Sequence, residues 1–138
     1  MAPPRAALWR VVPEYVDVDP EVLRQLRARC LALPDVSEEQ AWTGRRFVVR
    51  KKNFAHVFAM CDEHGAVVTI MAFRSPDEER GALVSSGHPF FFLGWGRNAM
   101  GMVLDDDTDW DEVGELVTES YCVLAPKKLV ALVARPAS

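Results

Sequence analysis

Between Glu38 and Phe73 the apolar residues leave helical spacing and fall into short alternating or unbroken runs, 46–50, 54–61 and 66–73. Lys51-Lys52-Asn53 and Asp62-Glu63-His64-Gly65 separate them. Runs of this length between turn-forming residues are strands, and strands joined so closely must run antiparallel. A shorter strand fits over 39–43. The 54–61 and 66–73 runs are apolar on both parities, which predicts central strands covered on at least part of each face.

Helical spacing governs the flanks. Asp19 can cap free amides and Pro20 suits a first helical position, while Val22, Leu23, Leu26, Cys30 and Leu33 share one stripe until Pro34 stops it. Ser75-Pro76-Asp77-Glu78 has capping-box spacing and starts a second helix that ends at Gly87. Strands are expected over 89–93 and 100–104, bridged by Gly94-Trp95-Gly96-Arg97-Asn98. Asp109 with Glu112 caps a third helix, whose stripe is Val113, Leu116, Val117, Ser120 and Tyr121. Pro126 opens a last short helix with Leu129, Val130, Leu132 and Val133 inward. Residues 1–18, with Pro3, Pro4 and Pro13, show no sustained period and read as an N-terminal tail or strap. No linker or repeat interrupts 19–135, so 19–138 reads as a single α+β domain, an antiparallel sheet with helices packed on it. A chain of 138 residues is long enough to close one core.

With 49% apolar and 26% charged residues, the chain is neither collagen-like nor disordered. It contains no apolar run of membrane-spanning length and no signal-like N-terminal stretch, which predicts a cytoplasmic protein with no membrane partner. Cys30, Cys61 and Cys122 form an odd set inside apolar segments, the pattern of reduced thiols. The net charge of −4 argues against a generic nucleic-acid binder, but it hides a segregation. Arg45, Arg46, Arg50, Lys51 and Lys52 fall between Trp42 and His56 with no acid among them, whereas eight acids and no base fall between Asp105 and Glu119.

Several blocks, in this order, resemble the MmcQ/YjbR family: Leu31-Ala32-Leu33-Pro34-Asp35-Val36, Trp42-Thr43-Gly44, and Phe47 through Lys52-Asn53-Phe54-Ala55. Gly87-His88-Pro89, Met102-Val103-Leu104-Asp105, and Glu119-Ser120-Tyr121 ahead of Ala125-Pro126 continue the similarity, which spans roughly 19–133. It departs from the pattern at 99–101, where many members place a tryptophan before the penultimate strand and this chain offers Met100 or the earlier Trp95. The resemblance implies a secretion-chaperone-like topology and the family's label as double-wing DNA-binding proteins. It brings no catalytic residue and no cofactor.

On an extended strand Arg46, Val48, Arg50 and Lys52 would share one face, a cationic ladder with Arg45 and Lys51 at its rims and Phe47 and Val49 turned to the core. Such a wing suits weak, sequence-independent nucleic-acid binding, since phosphate contacts position without reading bases. The bland alternative is an edge strand guarded by charge. Trp42 and Phe54 can stack on bases or join the core. A second candidate, a ligand or partner loop, gathers His88, Trp95, Arg97 and Tyr121. Its G-x-G lacks the strand–helix context of a dinucleotide fingerprint. Cys61 with His64 is too few ligands for a metal; as a thiol and base across a turn the pair would still require an oxyanion hole, and a buried small thiol is the default reading. The Asp105-Asp106-Asp107 run lacks calcium-loop spacing. The sequence therefore predicts a non-enzymatic protein without metal or cofactor. Its alternative partner is protein, either a homodimer joining basic and acidic segments or another chain.

Overall fold

Asp19 starts the first helix as its position predicts: its carboxylate accepts from the backbone N–H of Glu21 at 2.9 Å and of Val22 at 3.4 Å. The helix, α1 (Pro20–Cys30), buries Leu23, Leu26 and Cys30. The computed structural model describes residues 10–11, 18–93 and 98–133. After α1 come strands β2 (Val36–Gln40), β3 (Arg45–Val49), β4 (Lys52–Cys61) and β5 (Val67–Arg74), helix α2 (Asp77–Ser85), strands β6 (Phe90–Phe92) and β7 (Ala99–Leu104), and helices α3 (Trp110–Leu124) and α4 (Lys127–Val130). A two-residue strand, β1 (Arg10–Val11), precedes them all.

The sheet runs β2-β3-β4-β5-β7-β6 with every neighbouring pair antiparallel. The fold is α+β, one domain with helices packed on an antiparallel sheet, as the spacing of apolar runs required. β4 is the longest strand. β5 takes one of its edges, and β3 and β1 share the other, β1 pairing Arg10 with Cys61 and Val11 with Met60.

Alternation divides the side chains between two faces. The helix face gathers Phe47, Val49, Ala55, Val57, Met71, Phe73, Met100, Met102 and Leu104 with Leu26 of α1 and Val113, Val117 and Tyr121 of α3. The opposite face carries a smaller cluster, Phe58, Met60, Ile70, Phe91, Leu93 and Val103. The register slips where Phe47 faces Ala55 but Val48 faces Asn53, so Phe54 is the extra residue of a β-bulge. The bulge puts both Phe54 and Ala55 into the helix-face core.

α3 is tied to the sheet by more than apolar contact. The Ser120 hydroxyl, wholly buried, donates to the Phe54 carbonyl at 2.5 Å and accepts from the Arg74 N–H at 2.7 Å. One side chain thereby bridges two central strands where their ladder ends. Asp109 caps α3 as predicted, accepting from the N–H groups of Asp111 and Glu112.

Three expectations are corrected. The first short strand lies at 36–40 rather than 39–43, because residues 41–44 form a turn closed by the Ala41 N–H on the Gly44 carbonyl. The Ser75 capping box does not form: α2 is capped by Pro76 without a side-chain hydrogen bond, and the Ser75 Oγ is buried without a partner. The Ser75 N–H is instead bonded to the Asn98 carbonyl, so the residue serves the junction with β7. Leu132 is 69% exposed, since α4 ends before it can turn that side chain inward.

Candidate functional site

The basic segment occupies β3 and its hairpin with β4. β2 lies beside it carrying acids, and the register sets Glu38 opposite Phe47 and Glu39 opposite Arg46. Successive residues face opposite sides, so Glu38 sits on the helix face, where it accepts from Arg27 of α1 at 2.6 Å and lies 3.4 Å from Arg45. Glu39 sits on the other face, 2.9 Å from Arg46, and Asp35 holds Arg50 at 2.6 Å. All three arginines thus have carboxylate partners. The Arg46–Glu39 and Arg50–Asp35 pairs are exposed and contribute about 0–1 kcal/mol each, so they neutralise charge without locking the side chains, whereas the Arg45–Glu38 pair is part-buried.

The expected ladder does not form. Arg50 and Lys51 are the turn itself, both with positive φ (49° and 68°), the two-residue geometry that matches strand twist. Lys52 then pairs with Val49, whose side chain is in the helix-face core, while Arg46 lies on the opposite face. Arg46, Arg50 and Lys52 therefore share no face. What remains is a tip: Lys51 and Lys52 are exposed and make no ion pair among the described residues. Asn and Gly are the residues favoured in such turns, and a left-handed conformation costs other residues about 1–2 kcal/mol. At the opposite end of β3, Trp42 is 71% exposed in the turn before it, whereas Phe54 is core.

Of the second predicted cluster, the two members among the described residues, His88 and Tyr121, do not come together. Trp95 and Arg97 lie outside the described residues. Tyr121 is wholly buried; its hydroxyl donates to the Pro34 carbonyl at 2.6 Å and its ring meets Phe54 edge-on at 5.5 Å. Burial pushes its phenol above the ordinary value. His88 is exposed before a cis Pro89, 3.8 Å from Asp105 beyond the far end of β7. Phe54 is at the start of β4, beside the ends where β5 finishes and β7 begins, so Tyr121 and His88 belong to opposite ends of the strands. Tyr121 is a core anchor, not a loop ligand.

Burial also pushes the Cys30 thiol up. His64 is exposed, 3.5 Å from Glu63. Among the described residues no three His, Cys, Asp or Glu side chains come together as metal ligands.

A polar notch that the sequence reading missed lies at the end of the sheet where β4 and β7 begin and β5 finishes. A space of about 420 Å³ is lined by Lys52, Asn53, Arg74, Asn98, Val123 and Leu124. A smaller one of about 130 Å³ shares Asn53 and Arg74 and adds His56. The Oδ1 atoms of Asn53 and Asn98 are both buried without a hydrogen-bond partner. His56 lies 2.7 Å from the Thr43 carbonyl through Nε2, which must carry the proton and leaves Nδ1 as an acceptor. Burial pushes its pKa down, against the pull of the Thr43 carbonyl and with a further push from Arg46, so the ring is neutral near pH 7. Asn98, with φ of 63°, signals in the sequence a left-handed entry to β7, not the notch itself.

A family model described as YjbR matches residues 31–123. No curated protein matches the chain. No helix among the described residues is long and apolar enough to cross a membrane.

Proposed function

Since this chain belongs to the YjbR family, we propose that it is a binding protein, not an enzyme, whose β3–β4 hairpin makes weak, sequence-independent contact with nucleic acid. The observation that carries the reading is the tip. Two lysines without ion-pair partners among the described residues follow an arginine through a turn that holds two cationic residues in left-handed backbone. Backbone strain of this kind concentrates where a protein presents side chains for use. The exposed Trp42 at the other end of β3 adds an aromatic surface on which a base can stack. The contacts available are to phosphate, which explains why no sequence reading is expected. A non-enzymatic role is supported by the raised Cys30 thiol and by Tyr121 being spent on Pro34. Three free cysteines suit a cytoplasmic setting.

The test is fluorescence anisotropy of labelled single- and double-stranded DNA across salt concentrations. Two phosphate contacts from Lys51 and Lys52 predict a log–log slope of about −1.8 on duplex, taking about −0.9 per contact. Asp35→Asn releases Arg50 and should tighten binding and steepen the slope to about −2.7. Lys51→Ala/Lys52→Ala should abolish binding. Absence of binding at low salt, or binding untouched by the double variant, refutes the reading.

A self-association module is the second reading, and one observation favours it. The cationic tip lies at one end of the strands and the acidic turn 105–109 at the other, so two copies can meet through opposite charges. Elution volume that changes with protein concentration and salt, without DNA binding, is its signature.

A further inference from the structure

The notch between the ends of β4, β5 and β7 stands apart from the hairpin reading, because it sets two buried amide oxygens beside the charge of Lys52 and Arg74. Buried polar atoms are almost always satisfied, and leaving one orphaned costs about 1–3 kcal/mol. Here two amide oxygens, from Asn53 and Asn98, are orphaned in one place. They come from different strand boundaries, and the wall they share is completed by Lys52, Arg74 and the last turn of α3 at Val123 and Leu124. Such a set demands a ligand with two unlike parts. The oxygens accept only from N–H or O–H donors, whereas Lys52 and Arg74 attract an anion, Arg74 with the planar fork that fits phosphate. The two adjoining spaces together fall within the size range of small-molecule sites, about 300–1,000 Å³.

We propose that this notch binds a nucleoside monophosphate, with an exocyclic amine donating to the Asn53 and Asn98 oxygens and the phosphate held by Arg74 and Lys52. An asparagine amide is the side chain best matched to the amine edge of adenine. Lys52 is common to the hairpin tip and the notch, so the two sites are separated experimentally through Asn53 and Asn98, which have no part in the tip.

Calorimetric titration of the full chain with adenosine monophosphate, inosine monophosphate and inorganic phosphate tests the proposal. Adenosine monophosphate should bind and raise the melting temperature. Inosine monophosphate, which replaces the amine by a carbonyl, should bind about tenfold or more weakly, and phosphate weaker still. Asn53→Leu should abolish binding while raising the melting temperature of the ligand-free protein, because it removes an orphaned acceptor. Asn98→Gly, which keeps the positive φ, should also lose binding, and so guards against a folding failure at position 53. Displacement of the bound nucleotide by a 5′-phosphorylated oligonucleotide assigns the site to a strand end; no displacement assigns it to the free nucleotide. Either uphold the notch chemistry. Equal binding of all three anions, or no binding of adenosine monophosphate, overturns it, and a lowered melting temperature for Asn53→Leu would then show that the oxygens are served by water.

Discussion

Ser120→Ala removes a single oxygen atom, yet two strands depend on it. In the native chain the hydroxyl is wholly buried, donates to the Phe54 carbonyl and accepts from the Arg74 N–H. The methyl group of alanine fits the same space but leaves one buried acceptor and one buried donor without their Ser120 bonds. Each orphaned group costs about 1–3 kcal/mol, which gives about 2–4 kcal/mol for the pair after partial relaxation. For a domain of this length that is a fall in melting temperature on the order of 10 °C. Urea unfolding should show a lower midpoint with an unchanged m-value, and the Arg74 amide should exchange with solvent faster. Ser86→Ala is the matched control. Its hydroxyl also bonds a backbone carbonyl, that of Ala82, but in an exposed turn of helix, so its loss should cost under about 0.5 kcal/mol. A Ser120→Ala variant no less stable than Ser86→Ala would refute the clamp.

Gly44→Ala should be far worse than Gly65→Ala, although both glycines have positive φ (71° and 80°). A Cβ on Gly44 collides with the backbone at Val57 and Phe58, whereas one on Gly65 meets open space. Thermal melts should place the first at about 3 kcal/mol or more and the second near the 1–2 kcal/mol of left-handed strain alone. His56 provides the pH test. Its folded pKa is depressed below the ordinary 6.5, so protons bind preferentially to the unfolded chain; its contribution is complete above that value and is lost as pH falls below it. Between pH 7 and 5 the stability of His56→Phe should therefore fall less than that of the native protein, and an equal fall in both would refute the assignment.

The elements that local chemistry determines were readable from the chain. Asp19 and Asp109 cap the helices they were expected to cap, and the apolar runs after Arg46 and Phe54 are the strands β3 and β4. Ser75 had the same local credentials and failed, because the Asn98 carbonyl, 23 positions away, took its N–H. The cationic run was legible as charge but not as a surface. Its neutralisation by Asp35, Glu38 and Glu39 follows from the β2–β3 register, and the missing ladder follows from a turn that consumes Arg50 and Lys51. The notch was invisible for a related reason. Asn53, Arg74 and Asn98 are commonplace at strand ends one at a time, and only the pairing of β4 with β5 and β5 with β7 gathers them.

That same strand order constrains how the molecule is made. β2, β3, β4 and β5 follow one another as hairpins, so each finds its neighbour within a few residues of leaving the ribosome. β5 then waits: the next strand in the chain, β6, does not pair with it, and β7, which does, reaches from Arg74 only at Ala99 and from Thr69 only at Leu104. β6 in turn has no partner until β7 inserts between them. A nascent chain ending before Ala99 thus exposes the whole outer edge of β5 and holds a finished β6 with nothing to join, and the last strand synthesised is the one that closes the sheet on both sides at once.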